Sequence, residues 1–282
     1  MRRGWVAMGV VAGFAAGSAG FALAQSGGGV SDYAGGHETG VNPTAVGLPL
    51  IGASGTIGAS DMPNAVRSYH DSGQYDKDLA AVGGAAKAYL DQRLAGNNGK
   101  AVRTCKVTYK RAHKRQNHHL VYRRFKRCKR TRTKVQKLAI VLDIDETSLS
   151  NYTGLLASGF SSTGTVTPAV TGTGTAIAPT LALYHDARDH GVAVFFITGR
   201  PSQIQSITEQ NLKSQGYNQG WAGLSFKPSS SGTEAFKSSE RAKIEQQGFD
   251  IVLNMGDQES DLDGGHADRD FKLPNPFYFI SD

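Results

Sequence analysis

The sequence predicts an α/β fold built on a doubly wound, mainly parallel sheet, because three apolar runs each end abruptly in polar residues. The runs are LAIVL (138–142), VAVFFI (192–197) and FDIVLNM (249–255). Short apolar runs of this kind are typical of strands that are buried on both faces of a parallel sheet. Ligands of such sheets bind just beyond the carboxyl ends of the strands, so the polar residues after each run are the first candidates for a functional site.

The first run is followed by two carboxylates, Asp143 and Asp145. Two acids so close together repel each other, and one of them is driven toward its protonated form unless a positive partner lies nearby. A divalent metal ion or a cationic side chain is the simplest partner. We therefore expect this strand end to carry chemistry rather than only to cap a strand.

The other two runs also lead into polar residues. The second ends in Thr198, and a stripe of apolar residues with helical spacing then continues to Gly216, a good helix terminator. The third leads into a second acidic pair, Asp257 and Asp261. Between these two runs, Lys237 precedes a serine that we expect to be the N-cap of a polar helix ending near residue 247.

Four segments resemble, in this order, the four motifs of the haloacid dehalogenase (HAD) superfamily. They are DIDET (143–147), FFITGR (195–200), FKSSER (236–241) and GDQESD (256–261). The resemblance implies a HAD-like, Rossmann-like sheet with a small cap over the site.

More narrowly, the chain is similar to the secreted acid phosphatases of HAD subfamily IIIB, which are related to plant vegetative storage proteins. The stretch 67–90 resembles the leading helical region of that group, and 264–280 resembles its C-terminal tail. The resemblance covers roughly 63–98 and 135–282 and leaves out the segment between them.

The resemblance implies a catalytic role for four residues. Asp143 would be the nucleophile that attacks phosphorus and forms an aspartyl-phosphate. Asp145 would be the general acid and base. Thr198 would hydrogen-bond a phosphoryl oxygen, and Lys237 would neutralise charge that develops on the phosphoryl group.

The resemblance also implies Mg²⁺ as the cofactor, since carboxylate and carbonyl oxygens are its usual ligands. The expected metal site consists of Asp143, Ile144 through its backbone carbonyl, Asp145, Asp257 and, in a supporting position, Asp261. The substrate would be a small phosphate monoester.

Two other lysines, Lys227 and Lys243, are alternatives for the role given to the lysine of FKSSER, whose local sequence fits the family pattern better. Arg200 is expected to anchor a loop rather than to contact substrate. Glu146 and Thr147 are expected to shape the turn after the nucleophile.

Residues 1–24 are typical of a secretory signal. Arg2 and Arg3 precede an apolar stretch rich in Gly and Ala, and a small-x-small site predicts cleavage after Ala24. A retained membrane anchor is the alternative. We expect a secreted, cell-surface or periplasmic protein with no stable membrane insertion once the signal is removed.

The remaining chain divides into four parts. Residues 25–62 are predicted to be a flexible linker, and 63–99 an N-terminal helical region of the HAD domain. Residues 100–134 are predicted to be a basic insert, and 135–282 the phosphatase core. Within the core, about 150–179 would form the cap. That segment is rich in Thr, Gly, Ser and Ala instead of the aromatic residues expected in the group, and this favours an open cleft and broad substrate choice.

The segment 100–134 is an insert of opposite charge. It holds 15 of the chain's 31 Lys and Arg and no acid, which leaves 16 basic against 24 acidic residues elsewhere. The alternating stretches 104–110 and 120–125 predict a β-hairpin. Polyanions such as cell-wall polymer or nucleic acid are its possible partners, and a merely solvated hairpin is the alternative.

Cys105 and Cys128, the two cysteines of the chain, flank this hairpin. In a secreted protein, we expect them to form a disulfide across the two strands. Two free thiols, or a zinc site with nearby histidines, are the alternatives.

The function expected from these observations is a secreted, Mg²⁺-dependent acid phosphatase. One alternative is a non-catalytic surface-adhesion or storage-type protein on the same scaffold, which would use the hairpin to bind polyanions. A glycosyltransferase is another, since Asp-x-Asp can hold a metal and a nucleotide sugar, but that chemistry gives no role to the later motifs. The sequence does not indicate an oligomeric state.

Overall fold

The structure, a computed structural model, describes residues 62–98, 101–116, 119–132, 135–161 and 163–278. The predicted signal peptide and nearly all of the predicted linker lie outside these residues. The helices, in chain order, are α1 (Met62–Asp71), α2 (Gln74–Gly96), α3 (Tyr152–Ala157), α4 (Val166–Thr171), α5 (Ala178–Asp189), α6 (Gln205–Ser214), α7 (Thr233–Gln246) and α8 (Glu259–Leu262). The strands are β1 (Ala101–Gln116), β2 (His119–Arg132), β3 (Lys137–Leu142), β4 (Leu149–Ser150), β5 (Thr175–Ala176), β6 (Ala193–Thr198), β7 (Gly223–Phe226), β8 (Phe249–Gly256) and β9 (Asp270–Lys272).

The central sheet has five strands in the spatial order β7-β6-β3-β8-β9, and every neighbouring pair is parallel. The three apolar runs of the sequence form its three middle strands. Because β3 lies between β6 and β8, the carboxyl ends of all three meet at one edge of the sheet. This confirms the predicted fold class.

Both faces of the sheet are covered, as the side-chain alternation of β3 shows. Leu138, Ile140 and Leu142 pack into the larger apolar core, which also contains the buried faces of α2 and α5. Ala139 and Val141 point to the other face, into a smaller core beneath α7. Successive side chains of a strand point to opposite faces, so an unbroken apolar run is what a sheet covered on both faces requires.

Two leading helices, α1 and α2, attach the start of the described chain to the core. Arg93 near the end of α2 forms an ion pair with Asp250 of β8 at 2.9 Å. His70 of α1 stacks on Tyr152 of α3, with ring centroids 3.4 Å apart. Tyr152 in turn contacts Phe277, so α1, the segment after β3 and the C-terminal stretch meet in one aromatic cluster.

The basic insert forms an antiparallel hairpin of β1 and β2, with strands longer than the two predicted stretches. Cys105 pairs with Cys128 in register, and the two cysteines form a disulfide. The described side chains of both strands, apart from the half-buried Cys128, are exposed. A two-stranded ribbon without a buried face is at best marginally stable in water, so the covalent link has a clear structural purpose.

The segment predicted to form the cap contains two short helices, α3 and α4, and a small ribbon of β4 and β5. The helices pack closely because glycine stands at their contact. A Cβ atom at Gly154 would lie 2.4 Å from the Gly164 carbonyl oxygen and 2.6 Å from the Pro168 ring. The small residues that gave no clear pattern in the sequence therefore permit this close helix packing.

Among the residues that the structure describes, no helix combines the length and the apolar character needed to span a bilayer.

Candidate active site

Asp143 follows β3 directly and lies beside the ends of β6 and β8. Its backbone N–H donates a hydrogen bond to the Met255 carbonyl at 3.0 Å, which continues the β3–β8 ladder by one residue. The side chain is buried, with 6% of its surface exposed. The central strand thus ends in a carboxylate that faces a shielded site.

Lys237 joins two of the predicted acids. Its Nζ donates to Asp143 Oδ1 and to Asp261 Oδ1, each at 2.5 Å, and the lysine itself is buried. Lys243 instead pairs with Glu240 at the surface, and Lys227 donates to the Ser231 carbonyl at 3.0 Å. The structure therefore brings Lys237, rather than either alternative, into contact with the first motif.

The start of α7 differs from the prediction. The helix begins at Thr233 after Gly232, so Lys237 lies inside the helix and Ser238 is not its N-cap. The hydroxyl of Ser238 donates to the Gly264 carbonyl at 2.9 Å instead. The helical position of Lys237 fixes where its side chain leaves the backbone, and this directs the ammonium group across to the end of β3.

Asp257 and Asp261 are held at the end of β8 by hydrogen bonds. Asp257 accepts bonds from Thr147 Oγ1 at 3.1 Å and from Asn275 Nδ2 at 2.7 Å. Asp261 folds back so that its Oδ2 accepts the backbone N–H of Asp257 at 3.0 Å. Glycine is needed at position 256, because a Cβ atom there would lie 2.3 Å from the Cβ of Asp261.

One oxygen from each of Asp143, Asp257 and Asp261 lies within 4.8 Å of the others. Burial raises the pKa of Asp143 well above its usual value despite the opposing charge of Lys237, and the neighbouring acids add to the effect. Burial and the charge of Asp261 raise the pKa of Asp257 to about 7. Three carboxylate oxygens this close together are hard ligands of the kind that a divalent cation prefers, and such an ion would offset the burial of Asp143 and Asp257.

Asp145 is not part of this group of carboxylates. Arg200 binds it from two nitrogens, with Nη2 at 2.8 Å from Oδ1 and Nε at 3.0 Å from Oδ2, and Asn151 Nδ2 donates to Oδ1 at 2.7 Å. Burial alone would raise the pKa of Asp145, but the charge and hydrogen bonds of Arg200, with that of Asn151, hold it below its usual value. The carboxylate is therefore kept ionised.

Arg200 is a site residue that sequence reasoning left out. It is 4% exposed, lines the cavity and also donates to Thr208 Oγ1 at 3.2 Å. The available signal was its position two residues after Thr198, at the end of a strand next to β3. Its partner is 55 residues away, so local pattern could not identify the contact.

The Ile144 carbonyl is hydrogen-bonded within the turn that follows β3. This oxygen accepts backbone hydrogen bonds from Ser148 at 2.9 Å and from Leu149 at 2.8 Å. It closes the turn after β3, and its lone pairs are used there. These hydrogen bonds give the Ile144 carbonyl a role in the turn, and its part in a metal site stays a prediction.

Thr198 ends β6 and is fully buried. Its Oγ1 accepts the backbone N–H of Arg200 at 3.1 Å, while Gly199 and Arg200 line the cavity in front of it. The hydroxyl retains its own hydrogen for donation. In this structure, Thr198 shapes the turn that presents Arg200.

Glu146 lies in the turn after the first motif, with a left-handed φ of 49°. It is fully buried and accepts hydrogen bonds from the Asn151 backbone N–H at 2.5 Å and from Tyr278 Oη at 3.1 Å. Burial and the charge of Asp145 raise its pKa to about 8. Glu146 thus connects the turn to the C-terminal stretch, as its predicted shaping role requires.

These groups lie at one end of a cavity of about 440 Å³. Its polar end is formed by Asp143, Asp145, Lys237, Asp257 and Asp261. Its other wall is apolar and is formed by Val166, Ala169, Val170, Pro201 and Ile204. Val166 and Val170 are 52% and 46% exposed, one turn apart on α4. The cavity can therefore hold a molecule with an anionic head and an apolar body.

A family model described as HAD superfamily, subfamily IIIB (Acid phosphatase) matches residues 53–281. The chain belongs to this family. The match spans the whole central sheet and the site, as well as the basic hairpin.

The chain is similar to several curated plant proteins. The chain is 41% identical to "Stem 28 kDa glycoprotein" of Glycine max over 39% of this chain and 45% of the relative. It is 41% identical to "Acid phosphatase 1" of Solanum lycopersicum over 39% of this chain and 44% of the relative. It is 32% identical to "Vegetative storage protein 1" of Arabidopsis thaliana over 50% and 54%. The chain thus spans about half the length of the curated relatives it matches.

Among solved structures, the chain resembles the class C acid phosphatase from Bacillus anthracis with a TM-score of 0.56 and 18% sequence identity. The match covers 78% of this chain and 86% of that chain. The same enzyme with tungstate bound gives a TM-score of 0.55. At this level of identity the likeness supports the fold.

Proposed function

We propose that this protein is a phosphatase that hydrolyses phosphate monoesters through an aspartyl-phosphate on Asp143. The observation that carries the proposal is the convergence of Asp143, Lys237, Asp257 and Asp261 at the polar end of one cavity. Such a set provides a nucleophile, a cation for the phosphoryl group and ligands for a metal ion. Membership of an acid phosphatase family and the name of the tomato relative support the same activity.

In the first step, a carboxylate oxygen of Asp143 bonds to phosphorus while the bond from phosphorus to the ester oxygen breaks. The departing oxygen takes up a proton and leaves as the alcohol. In the second step, water attacks the phosphorus of the aspartyl-phosphate, loses a proton and releases inorganic phosphate, which restores the Asp143 carboxylate. Lys237 lies 2.5 Å from the attacking group and can neutralise the phosphoryl oxygens in both steps.

Asp145, with its carboxylate ionised, is suited to the second step. Because Arg200 keeps its carboxylate ionised, it can accept the proton of the attacking water. Donation of a proton to the leaving alcohol in the first step requires the protonated form of Asp145, which the Arg200 pair opposes and acidic solution favours. Arg200 is thus proposed to tune this acid and base rather than to react.

We propose that Mg²⁺ is the metal, held by the carboxylates of Asp143 and Asp257 with Asp261 in support. Bound Mg²⁺ would neutralise these acids and polarise the phosphoryl group. The oxygen-only donor set, the spacing within 4.8 Å and the raised pKa values of two of the three acids support this choice over softer metals.

We also propose that the protein is exported, since residues 1–24 carry the basic start, apolar stretch and cleavage site of a secretory signal. A disulfide in the hairpin supports an oxidising location. Release of the mature chain into the medium or periplasm of an expressing cell would test this proposal.

Turnover of an aryl phosphate tests the activity. We expect hydrolysis by the mature wild-type chain with Mg²⁺, little with a chelator, and a loss of at least about a thousandfold in Asp143→Asn. Asp91→Asn is the matched control, since Asp91 is an exposed acid of α2. Equal turnover in Asp143→Asn would refute the nucleophile. A folded wild type without turnover would favour a non-catalytic storage-type protein.

The hairpin supports a second, separate role. We propose that it contacts polyanions, with cell-wall polymer and nucleic acid as the candidates, because it concentrates the positive charge of the chain on an exposed ribbon. Retention on a heparin column that is lost when residues 100–134 are replaced by a short linker would support this role. Unchanged retention would contradict it.

A further inference from the structure

The register of the hairpin places like charges opposite one another. Arg103 pairs with Arg130, Lys106 with Arg127, and Lys110 with Arg123. Like charges directly across an antiparallel pair are destabilising. A ribbon with this register therefore gains stability when an external anion lies against it.

The density of this charge is regular along the ribbon. The eleven paired positions from Ala101 opposite Arg132 to Arg111 opposite Tyr122 hold 11 Lys or Arg and no acid. At a rise of about 3.4 Å per residue, this is about one charge per 3.4 Å when both faces of the ribbon are counted, which equals the axial spacing of phosphates in one strand of a DNA duplex. The ribbon and such a strand match in charge per unit length.

Both faces of the ribbon are accessible. Lys106, Arg127 and Phe125 belong to one face by strand alternation, and Val107, Lys126 and Arg124 to the other, and the side chains of all six are exposed. No acidic residue lies within 100–134 to neutralise them locally. The disulfide holds the strands together at Cys105 and Cys128 and so opposes the repulsion between them.

Aromatic residues lie among these charges, and they distinguish nucleic acid from polyanions that have no bases. Phe125 is 46% exposed, and in the register of the ladder Tyr109 pairs with Arg124 and Tyr122 with Arg111. Aromatic rings among basic residues stack on nucleobases, whereas a sulfated or teichoic polymer has no such ring to stack. The combination favours nucleic acid.

We propose that the hairpin is a binding site for single-stranded nucleic acid, which lies along the ribbon with its phosphates on the Lys and Arg side chains and a base on Phe125. This narrows the polyanion role proposed above to one class of partner. It does not depend on the phosphatase chemistry, so the two can fail independently.

Fluorescence anisotropy of the full mature chain with an oligothymidylate of about 20 nucleotides tests the proposal. A 5′ fluorescent label without a terminal phosphate keeps the probe from serving as a phosphatase substrate. We expect binding at about 100 mM salt that weakens as salt rises. Absence of binding under these conditions overturns the proposal, whatever the turnover of aryl phosphates.

Two variants separate base stacking from charge. Phe125→Ala should weaken oligonucleotide binding roughly tenfold and leave heparin binding unchanged, because heparin offers no base. Lys106→Gln with Arg127→Gln should weaken both ligands and reduce the slope of log affinity against log salt by about 1.4 for the oligonucleotide. If Phe125→Ala has no effect on the oligonucleotide, the ribbon is a general polyanion surface and the nucleic-acid assignment is wrong.

Matched controls lie outside the hairpin. Val135→Ala removes an apolar side chain that is 60% exposed, and Lys87→Gln removes an exposed lysine of α2. Neither should change oligonucleotide affinity. A loss in Lys87→Gln as large as that in the double variant would place binding on the general surface and overturn the assignment to the hairpin.

Discussion

Lys237 is the residue that makes the acidic site compatible with folding. It is buried between Asp143 and Asp261 and satisfies both carboxylates at once. Removing one partner of a buried ion pair leaves an uncompensated charge. In the proposed mechanism, the same side chain would stabilise the fold before substrate arrives and neutralise phosphoryl charge after it.

We therefore predict that Lys237→Met lowers kcat about 10²- to 10³-fold and the free energy of unfolding by about 3–5 kcal/mol. Mg²⁺ should restore more stability to this variant than to wild type, since the metal would replace the lost cation. Urea denaturation with and without Mg²⁺, combined with aryl phosphate kinetics, measures both effects. Lys243→Met, an exposed change on the same helix, serves as the control, and wild-type kcat in Lys237→Met would contradict the assignment.

Glu146 provides a prediction on pH. Its pKa of about 8 in the folded state lies above the ordinary value near 4.5, so the unfolded chain loses this proton first as the pH rises. The stability that Glu146 contributes at low pH therefore falls between about pH 4.5 and pH 8 and is lost above that. We predict that Glu146→Gln does not show this loss of stability with rising pH. Above pH 8, its free energy of unfolding should exceed that of wild type by at most about 5 kcal/mol.

Chemical denaturation at about pH 5 and pH 9 in the presence of a chelator measures this difference. Wild type and variant should be close at the lower pH and diverge at the higher one. Glu209→Gln, a change at the surface of α6, should follow wild type throughout. Parallel pH profiles for wild type and Glu146→Gln would show that the acid is not held protonated.

At the residue scale, the sequence predicted the side chains that meet because they follow the ends of adjacent strands. It did not predict contacts that depend on how two loops face each other. Asp143, Asp257 and Asp261 follow adjacent parallel strands, and the structure brings their oxygens together. The contact of Arg200 with Asp145 depends on how two loops face each other. The internal use of the Ile144 carbonyl depends on a turn that no residue pattern specifies.

At the scale of elements, α4 supplies the apolar wall of the cavity. Val166 and Val170 extend into it from successive turns, while the packing of Gly154 against Gly164 and Pro168 fixes the helix. These helices could not be predicted from an amphipathic stripe, because they pack closely through small residues instead. In the proposed reaction, this wall would favour a leaving group with apolar surface, so the substrate range would be narrower than an open cleft predicts.

We predict that Val166→Ser with Val170→Ser reduces kcat/KM for naphthyl phosphate about tenfold relative to that for glycerol phosphate, because apolar contact with the larger leaving group is lost. The ratio of the two kcat/KM values isolates this effect from general loss of activity. Val135→Ser, the same change at an exposed valine outside the cavity, should leave the ratio unchanged. An unchanged ratio in the double variant would show that the leaving group does not touch α4.

Among the elements, the ends of α7 and of the hairpin strands were the least predictable. The helix starts at Thr233 instead of Ser238, because Gly232 begins it and Ser238 finds a partner in the loop after α8. The hairpin strands extend beyond 104–110 and 120–125, and their described side chains apart from Cys128 are exposed, so burial does not mark their ends. The three buried strands, by contrast, were clear because burial on both faces demands a continuous apolar run.

At the scale of the whole molecule, the proposed metal site would couple ion binding to folding. The acids that would hold Mg²⁺ come from two strand ends separated by more than a hundred residues, so the unfolded chain has no such site. A ligand that binds only the folded state stabilises it according to its concentration. The described domain should therefore respond to Mg²⁺ as a unit.

We predict that Mg²⁺ at about one hundred times its Kd raises the free energy of unfolding by about 2.7 kcal/mol. Asp257→Asn should lose most of this gain, because a neutral amide replaces a charged ligand. Thermal unfolding over a series of Mg²⁺ concentrations gives the result, with Asp91→Asn as the control. An equal gain in Asp257→Asn would place the ion elsewhere.

The aromatic cluster of His70, Tyr152 and Phe277 has a consequence for chain connectivity. It holds α1 and the last described stretch against the same short helix after β3, so Met62 and Tyr278, the two ends of the described residues, lie on one side of the domain. A peptide tether from Tyr278 to Met62 would therefore need to span little more than the length of α1. Circular permutants that carry this tether, with new ends opened inside the ribbon, should retain the order of strands in space although the order in the gene has changed.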